Sequence, residues 1–80
     1  MKIIIGIDVG GSTTKICGFR GTELLEPLFV KAADPVASVY GGFGKFTSQN
    51  GIALTDIERV MITGVGSAYI SSEIYGLKTE

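Results

Sequence analysis

The 80-residue sequence predicts a single α/β unit built on a mixed sheet, with its elements in the order strand, strand, strand, helix, strand, helix. Short apolar runs rich in β-branched residues open the chain and recur near residue 60. Between them lies one segment whose apolar residues have helical spacing. The chain also contains 12 glycines, mostly in three clusters that punctuate these segments. This length allows one domain, or a piece of one.

The first two strands are predicted from two apolar segments. Residues 2–7 form a continuous apolar run, which is typical of a strand buried on both faces. Residues 13–20 resume the strand pattern, and side-chain alternation divides them between the two faces of a sheet. Because Cys17 lies among apolar neighbours in this second strand, we expect it to be a buried core residue.

A third strand and a helix follow. Residues 24–33 are predicted as a strand after a hairpin turn, and Pro27 within it indicates an edge position or a bulge. Asp34 and Pro35 predict a helix start, with Asp as the N-cap and Pro at the first helical position. The apolar stripe of that helix consists of Val36, Val39, Tyr40, Phe43 and Phe46.

The remaining elements are marked by glycines. Three of them interrupt the helix, each at a cost of about 1 kcal/mol relative to alanine, and we interpret them as points where the helix packs closely on the sheet. Asn50–Gly51 predicts the end of the helix. Residues 59–63 are predicted as a fourth strand, residues 64–67 as a second glycine loop, and residues 67–75 as a second helix.

Composition excludes several classes of function. With 7 basic and 8 acidic residues the net charge is −1, so we expect no nucleic-acid partner and no membrane partner. The absence of His removes His-based catalysis, and a single Cys excludes a disulfide framework. The apolar start is too short for a transmembrane helix and lacks the features of a signal peptide, which favours a cytoplasmic location.

The segment after the first strand has the residue types of a phosphate-binding loop. Gly10 and Gly11 let the backbone turn tightly and approach a ligand closely. Successive N–H groups in such a turn can form a concave anion site, to which Ser12 and Thr13 add hydroxyl donors. An ordinary Gly-Gly hairpin turn is the alternative explanation of these residues taken alone.

Two charged residues flank this loop. Asp8 follows the buried strand, where a carboxylate can hold Mg²⁺ directly or through water. Lys15 places a positive charge near the start of the next strand. Together with the loop, they are the groups needed to bind the terminal phosphates of a nucleotide with its metal ion.

Residues 4–15 resemble the first phosphate loop of the actin-like ATPase superfamily, which includes sugar kinases, Hsp70 and acetate kinase. The order of the elements resembles the opening of the ribonuclease-H-like lobe of that superfamily. With Ala33–Asp34–Pro35 at the helix start and Ile62–Ser67 after the fourth strand, the chain further resembles the N-terminal part of a type II pantothenate kinase. The resemblance implies that residues 1–80 are part of one lobe, and that the second lobe lies outside them.

This resemblance implies ATP-dependent phosphorylation of a small-molecule hydroxyl, namely that of pantothenate in coenzyme A biosynthesis, with ATP and Mg²⁺ as cofactors and a homodimer in the longer protein. It makes Asp8 the residue that orients Mg²⁺ and Lys15 the residue that offsets developing negative charge, and both are candidate catalytic residues. The phosphates would be cradled by Gly10, Gly11, Ser12 and Thr13. A substrate-side role would fall on Gly64, Gly66 and Ser67, although Val65 interrupts the glycine run that is usual in the family.

Two alternatives remain open. Activator ATPases of radical 2-hydroxyacyl-CoA dehydratases open with a similar loop and carry a Thr-Gly-x-Gly sequence after the fourth strand. They need cysteines for a shared iron–sulfur cluster, whereas this chain offers only Cys17. The other alternative is a non-catalytic nucleotide-binding or structural fragment. Because half of the ATP cleft is missing, we expect the 80-residue chain to be inactive by itself.

Overall fold

The computed structural model describes residues 2–31, 34–70 and 72–80. Within them lie one long helix, α1 (Pro35–Gln49), and short 3₁₀ turns at Leu54–Asp56 and Val65–Tyr69. None of these helices combines the length and the apolar character that crossing a bilayer requires. The strands are β1 (Ile3–Val9), β2 (Thr13–Arg20), β3 (Glu23–Leu24), β4 (Leu28–Lys31), β5 (Ile57–Thr63), β6 (Glu73–Ile74) and β7 (Leu77–Lys78).

The main sheet is mixed, as predicted. β1 pairs antiparallel with β2 and parallel with β5, so the carboxyl ends of β1 and β5 lie at the same edge of the sheet. β2 pairs on its other side with both β3 and β4. The outer edge of β5 is met by Glu80, whose N–H donates to the Val60 carbonyl at 2.9 Å and whose carbonyl accepts from the Ile62 N–H at 2.8 Å.

The predicted third strand is interrupted near Pro27. β3 ends at Leu24, and β4 begins at Leu28, directly after the proline. The break is held by the end of α1, since the Glu26 N–H donates to Oδ1 of Asn50 at 3.0 Å. Both pieces lie beside β2 at the edge of the sheet, which agrees with the edge position that Pro27 indicated. Residues 32 and 33, at the predicted end of this strand, lie outside the described residues.

The helix begins and ends where its capping residues predict. The Asp34 side chain accepts from the Val36 N–H at 3.0 Å, and Asn50 is the C-cap, followed by Gly51 at φ +63°. The helix covers one face of the sheet, and the core between them is apolar. Its fully buried members include Ile3, Ile5, Ile7, Val9, Ile16, Val39, Phe43, Phe46 and Val60. The prediction that Val36 belongs to this stripe is wrong, because its side chain is 40% exposed.

The other face of the sheet, which we call the open face, is not covered by any described element. Its apolar side chains include Ile4, Met61 and Phe29, which are 37%, 44% and 66% exposed. The expectation that the first strand is buried on both faces is therefore wrong. Cys17 is exposed rather than buried, because alternation along β2 places it on this face.

The predicted second helix over residues 67–75 is wrong. The chain forms the 3₁₀ turn Val65–Tyr69 and then the hairpin of β6 and β7. Tyr75 and Gly76, at the tip of that hairpin, have φ values of +51° and +83°, as a two-residue hairpin turn requires. Packing favours the hairpin, since Ile74 is fully buried and the Tyr75 ring meets the ring of Tyr40 edge to face at 5.3 Å.

Candidate functional site

The strand register brings Asp8 and Lys15 together. β1 extends to Val9, so Asp8 lies within the strand and pairs with Lys15 on β2 and with Thr63 on β5. Residues paired in this way have side chains on the same face of a sheet. A row of Lys15, Asp8 and Thr63 therefore crosses the open face at the carboxyl end of β1. All three side chains are exposed, and none forms a hydrogen bond or ion pair with the described residues.

A cavity of about 450 Å³ lies on the open face beside this row. Asp8, Lys15 and Thr63 line it together with the next paired row along the strands, in which Gly6 has Cys17 and Met61 as partners. Apolar walls with a few polar groups at one side are typical of small-ligand sites, and the volume lies in their usual range. The row thus provides the charged part of an otherwise apolar concavity.

The hairpin loop of Gly10, Gly11 and Ser12 joins β1 to β2. The Gly10 N–H donates to the Thr13 carbonyl at 2.8 Å, and a Cβ at Gly10 would lie 2.8 Å from that oxygen. Gly10 is therefore needed to close the turn, and its N–H is already used. The N–H groups of Gly11 and Ser12 have no acceptor among the described residues, and Gly11 has open space around it. Those two amides are the loop donors left for an anion.

The second glycine loop lies against the first. Gly64 has φ +101°, and a Cβ there would collide with the Val9 carbonyl oxygen and lie 2.7 Å from Oδ1 of Asp8. A Cβ at Gly66 would lie 2.6 Å from Cγ1 of Val9. The Ser67 hydroxyl donates to the Gly64 carbonyl at 2.7 Å, within the turn itself. The two glycine motifs, distant in sequence, thus lie in contact.

Thr63 is the member of this site to which sequence analysis gave no role. It ends β5 just before the second glycine loop, and β5 is the parallel neighbour of β1. Ligands of open α/β sheets bind at the carboxyl ends of such strands. The signal that identifies Thr63 is therefore its position at a strand end, once β5 is known to lie beside β1.

The residues present fit a magnesium ion that arrives with a nucleotide. Among the described residues there is no cluster of three or more His, Cys, Asp or Glu side chains that forms a complete metal cage. Asp8 instead offers a single exposed carboxylate without a partner. Mg²⁺ is usually held by one or two carboxylates, water and substrate phosphates, and one carboxylate beside two free amides matches that pattern.

Comparison with known structures identifies the fold. The chain is similar to the activator of the 2-hydroxyisocaproyl-CoA dehydratase from Clostridium difficile, solved with bound ADPNP, at 19% identity and a TM-score of 0.78 over 96% of this chain and 29% of that one. It is also similar to component A of the (R)-2-hydroxyglutaryl-CoA dehydratase from Acidaminococcus fermentans, at 16% identity and a TM-score of 0.80 over 99% of this chain and 31% of that one. A third similar structure is an uncharacterized protein with similarity to peptidase YEAZ from Pseudomonas aeruginosa, at 10% identity and a TM-score of 0.64 over 78% of this chain and 29% of that one.

These similarities show that the chain has the actin-like ATPase fold, and they confirm the predicted fold class. The chain spans less than a third of the length of each of these proteins. No protein-family model and no curated protein sequence matches the chain. The comparisons give no support to the expected pantothenate phosphorylation or to the expected homodimer.

Proposed function

We propose that the hairpin between β1 and β2 binds the terminal phosphates of ATP with Mg²⁺, as one part of the nucleotide site of a longer actin-like ATPase. The observation that carries the proposal is the pairing of Asp8 with Lys15 beside the free amides of Gly11 and Ser12. A cation ligand and a positive charge line one cavity, the two N–H donors lie in the loop that joins their strands, and each lacks a partner among the described residues. The structure of similar fold from Clostridium difficile was solved with the ATP analogue ADPNP.

Each group has a defined task in this proposal. Asp8 would hold Mg²⁺ directly or through water, and a bound ion would supply charge neutralisation for the phosphates. Lys15, paired with Asp8, adds a positive charge on the neighbouring strand. Gly11 and Ser12 donate their N–H groups to phosphate oxygens, and the Thr13 hydroxyl adds a further donor.

Binding of Mg²⁺ and ADPNP tests this proposal without requiring turnover. Isothermal titration would compare the chain with an Asp8→Asn variant, and with Glu58→Gln as a control that removes the same charge from an exposed position outside the site. We expect Asp8→Asn to weaken binding by at least about tenfold when Mg²⁺ is present, because a ligand of the ion is lost. Glu58→Gln should bind as the unaltered chain does. Equal affinities for all three would contradict the assignment of Asp8.

For the reaction of the longer protein, we favour an activator ATPase over a pantothenate kinase. The support is that the two structures with the highest TM-scores reported above are an activator and a component A of CoA-ester dehydratases, and that each matches nearly the whole chain. The kinase remains the second candidate, because the segments that carry its sequence resemblance, around Asp8 and around Gly64, adjoin in the structure. A homodimer and a cytoplasmic location remain predictions.

ATP consumption by a longer polypeptide that contains this chain distinguishes the two candidates. The assay is run with and without pantothenate, each beside Asp8→Asn. ATP hydrolysis that does not depend on pantothenate, together with an iron–sulfur absorption band, would support the activator. Consumption that requires pantothenate would support the kinase. If Asp8→Asn consumed ATP as fast as the unaltered protein, the phosphate-site proposal itself would be contradicted.

A further inference from the structure

The contact between the two glycine loops assigns a task to the second loop. The Gly64 backbone lies beside the Asp8 carboxylate, so that a Cβ there would be 2.7 Å from Oδ1 and in collision with the Val9 carbonyl. Gly66 lies next to it against the Val9 side chain, and a Cβ there would lie 3.2 Å from the Gly10 carbonyl. Real Cβ atoms do not approach backbone atoms as closely as one at Gly64 would. Gly64 therefore excludes any larger residue while the first loop keeps its place, and a larger residue at Gly66 would displace the Val9 side chain.

The second loop is itself held in a fixed shape. The Gly64 carbonyl accepts from both the N–H and the hydroxyl of Ser67, at 3.1 and 2.7 Å. The preceding residue, Thr63, is fixed by its pairing with Asp8 across the parallel strands. By contrast, Val65 at the tip of this turn is almost fully exposed. Because strand pairing fixes one end of this turn and the Ser67 hydrogen bonds fix the other, its backbone forms a rigid contact surface for Asp8 and Val9.

We infer that Gly64 and Gly66 are positioning residues for the phosphate loop: they set the direction of the Asp8 carboxylate and the path of the chain from Val9 to Gly10. They act through Asp8 and the loop rather than by contact with an acceptor substrate. The inference deepens the proposed function and rests on it only for its magnesium readout. It differs from the substrate-side role that the family resemblance implies for these residues.

The central test compares Gly64→Ala with Gly51→Ala. Gly51 also has a positive φ, +63°, but no atom lies within 4 Å of a Cβ placed there, and it follows the far end of α1. Gly51→Ala therefore introduces backbone strain without touching the site. Amide NMR signals would report a Mg²⁺ titration at a fixed ADPNP concentration. We expect Gly64→Ala to raise the Mg²⁺ concentration at half-saturation about tenfold, because loss of groups that orient a metal ligand has an effect of that size. Gly51→Ala should leave this concentration unchanged.

Coupling to Asp8 separates positioning from general damage. In an Asp8→Asn background, Gly64→Ala should cause no further change in the Mg²⁺ requirement, because effects that pass through one residue are not additive. Gly66→Ala provides a second variant should Gly64→Ala fail to fold, since its closest contact is a movable Val9 methyl group and its φ is not positive. It should likewise raise the Mg²⁺ requirement. An equal requirement in Gly66→Ala and in the unaltered chain would overturn the inference.

A ligand-free measurement keeps this inference distinct from the proposed function. The carboxyl ¹³C signal of Asp8 and the amide signals of Val9 and Gly10 are recorded without nucleotide. We expect them to shift in the Gly64 and Gly66 variants and to stay in place in Gly51→Ala. If a longer polypeptide that contains this chain does not bind Mg²⁺ and ADPNP, the proposed function fails while these shifts still support the positioning role. If the signals stay in place in both site variants, the positioning role is wrong, whatever binds.

Discussion

Gly42 provides a quantitative test of how α1 packs on the sheet. A Cβ at this position would lie 3.0 Å from both Cδ1 of Ile16 and Cγ2 of Val30. Replacing glycine by alanine inside a helix stabilises the helix by about 1 kcal/mol. Forcing an extra methyl group into a packed core costs about 1–3 kcal/mol. The Gly42→Ala variant should therefore be less stable than the unaltered chain by about 0–2 kcal/mol, because overpacking offsets the gain in helix propensity.

Gly44 is the matched control for this prediction, because no atom lies within 4 Å of a Cβ placed there. Gly44→Ala should stabilise the chain by about 1 kcal/mol, which corresponds to a rise of roughly 4–8 °C in Tm for a domain of this size. Thermal unfolding followed by far-ultraviolet circular dichroism would measure both variants. If Gly42→Ala raised the Tm as much as Gly44→Ala does, the close approach of α1 to β2 and β4 would be refuted.

Three further predictions concern the core and the open face. Phe43→Ala should cost about 3–5 kcal/mol, because the ring is fully buried, and loss of dispersion in the amide NMR spectrum would show the resulting unfolding. Cys17 should react with a thiol reagent in the folded chain nearly as fast as in denaturant, because its side chain is exposed. Much slower reaction in the folded chain would show instead that Cys17 is buried. The exposed apolar side chains of Phe29 and Met61 should make the isolated chain self-associate, and sedimentation should show less association for Phe29→Gln. A monomeric unaltered chain at the same concentration would contradict that reading of the open face.

Local signals predicted the parts of the fold that depend on local contacts. The start and end of α1 follow from Asp34 and from Asn50–Gly51, whose backbone capping hydrogen bonds are made to residues within four positions along the chain. The hairpin that stands in place of the predicted second helix could not be predicted in this way. Tyr75 adopts a left-handed conformation that its residue type does not favour, and long-range packing of its ring on α1 accompanies it. The exposure of Cys17 likewise depends on which face of the sheet α1 covers, and alternation alone does not determine that.

In the candidate site too, the features that depend on contiguous residues could be predicted, and those that depend on long-range contacts could not. Sequence alone could group Asp8, the Gly10–Thr13 turn and Lys15 into one candidate phosphate-binding hairpin, because these residues are contiguous. It could not show that the Gly10 N–H is used to close the turn. Nor could it show that Gly64 adjoins Asp8, since that contact depends on the pairing of strands far apart in the chain.

The parallel pairing of β1 with β5 therefore determines the geometry of the candidate site directly. In a parallel pair, both strands end at the same edge, so the turns that follow Val9 and Thr63 are brought side by side. A slip of one residue in this pairing would turn Thr63 to the other face and would separate Gly64 from the Asp8 carboxylate. The α1 stripe resists that slip, because Val60 lies in the same buried core as Ile5, its partner on β1. Core packing between α1 and the sheet thus fixes the register that aligns the proposed phosphate loop with the second glycine loop.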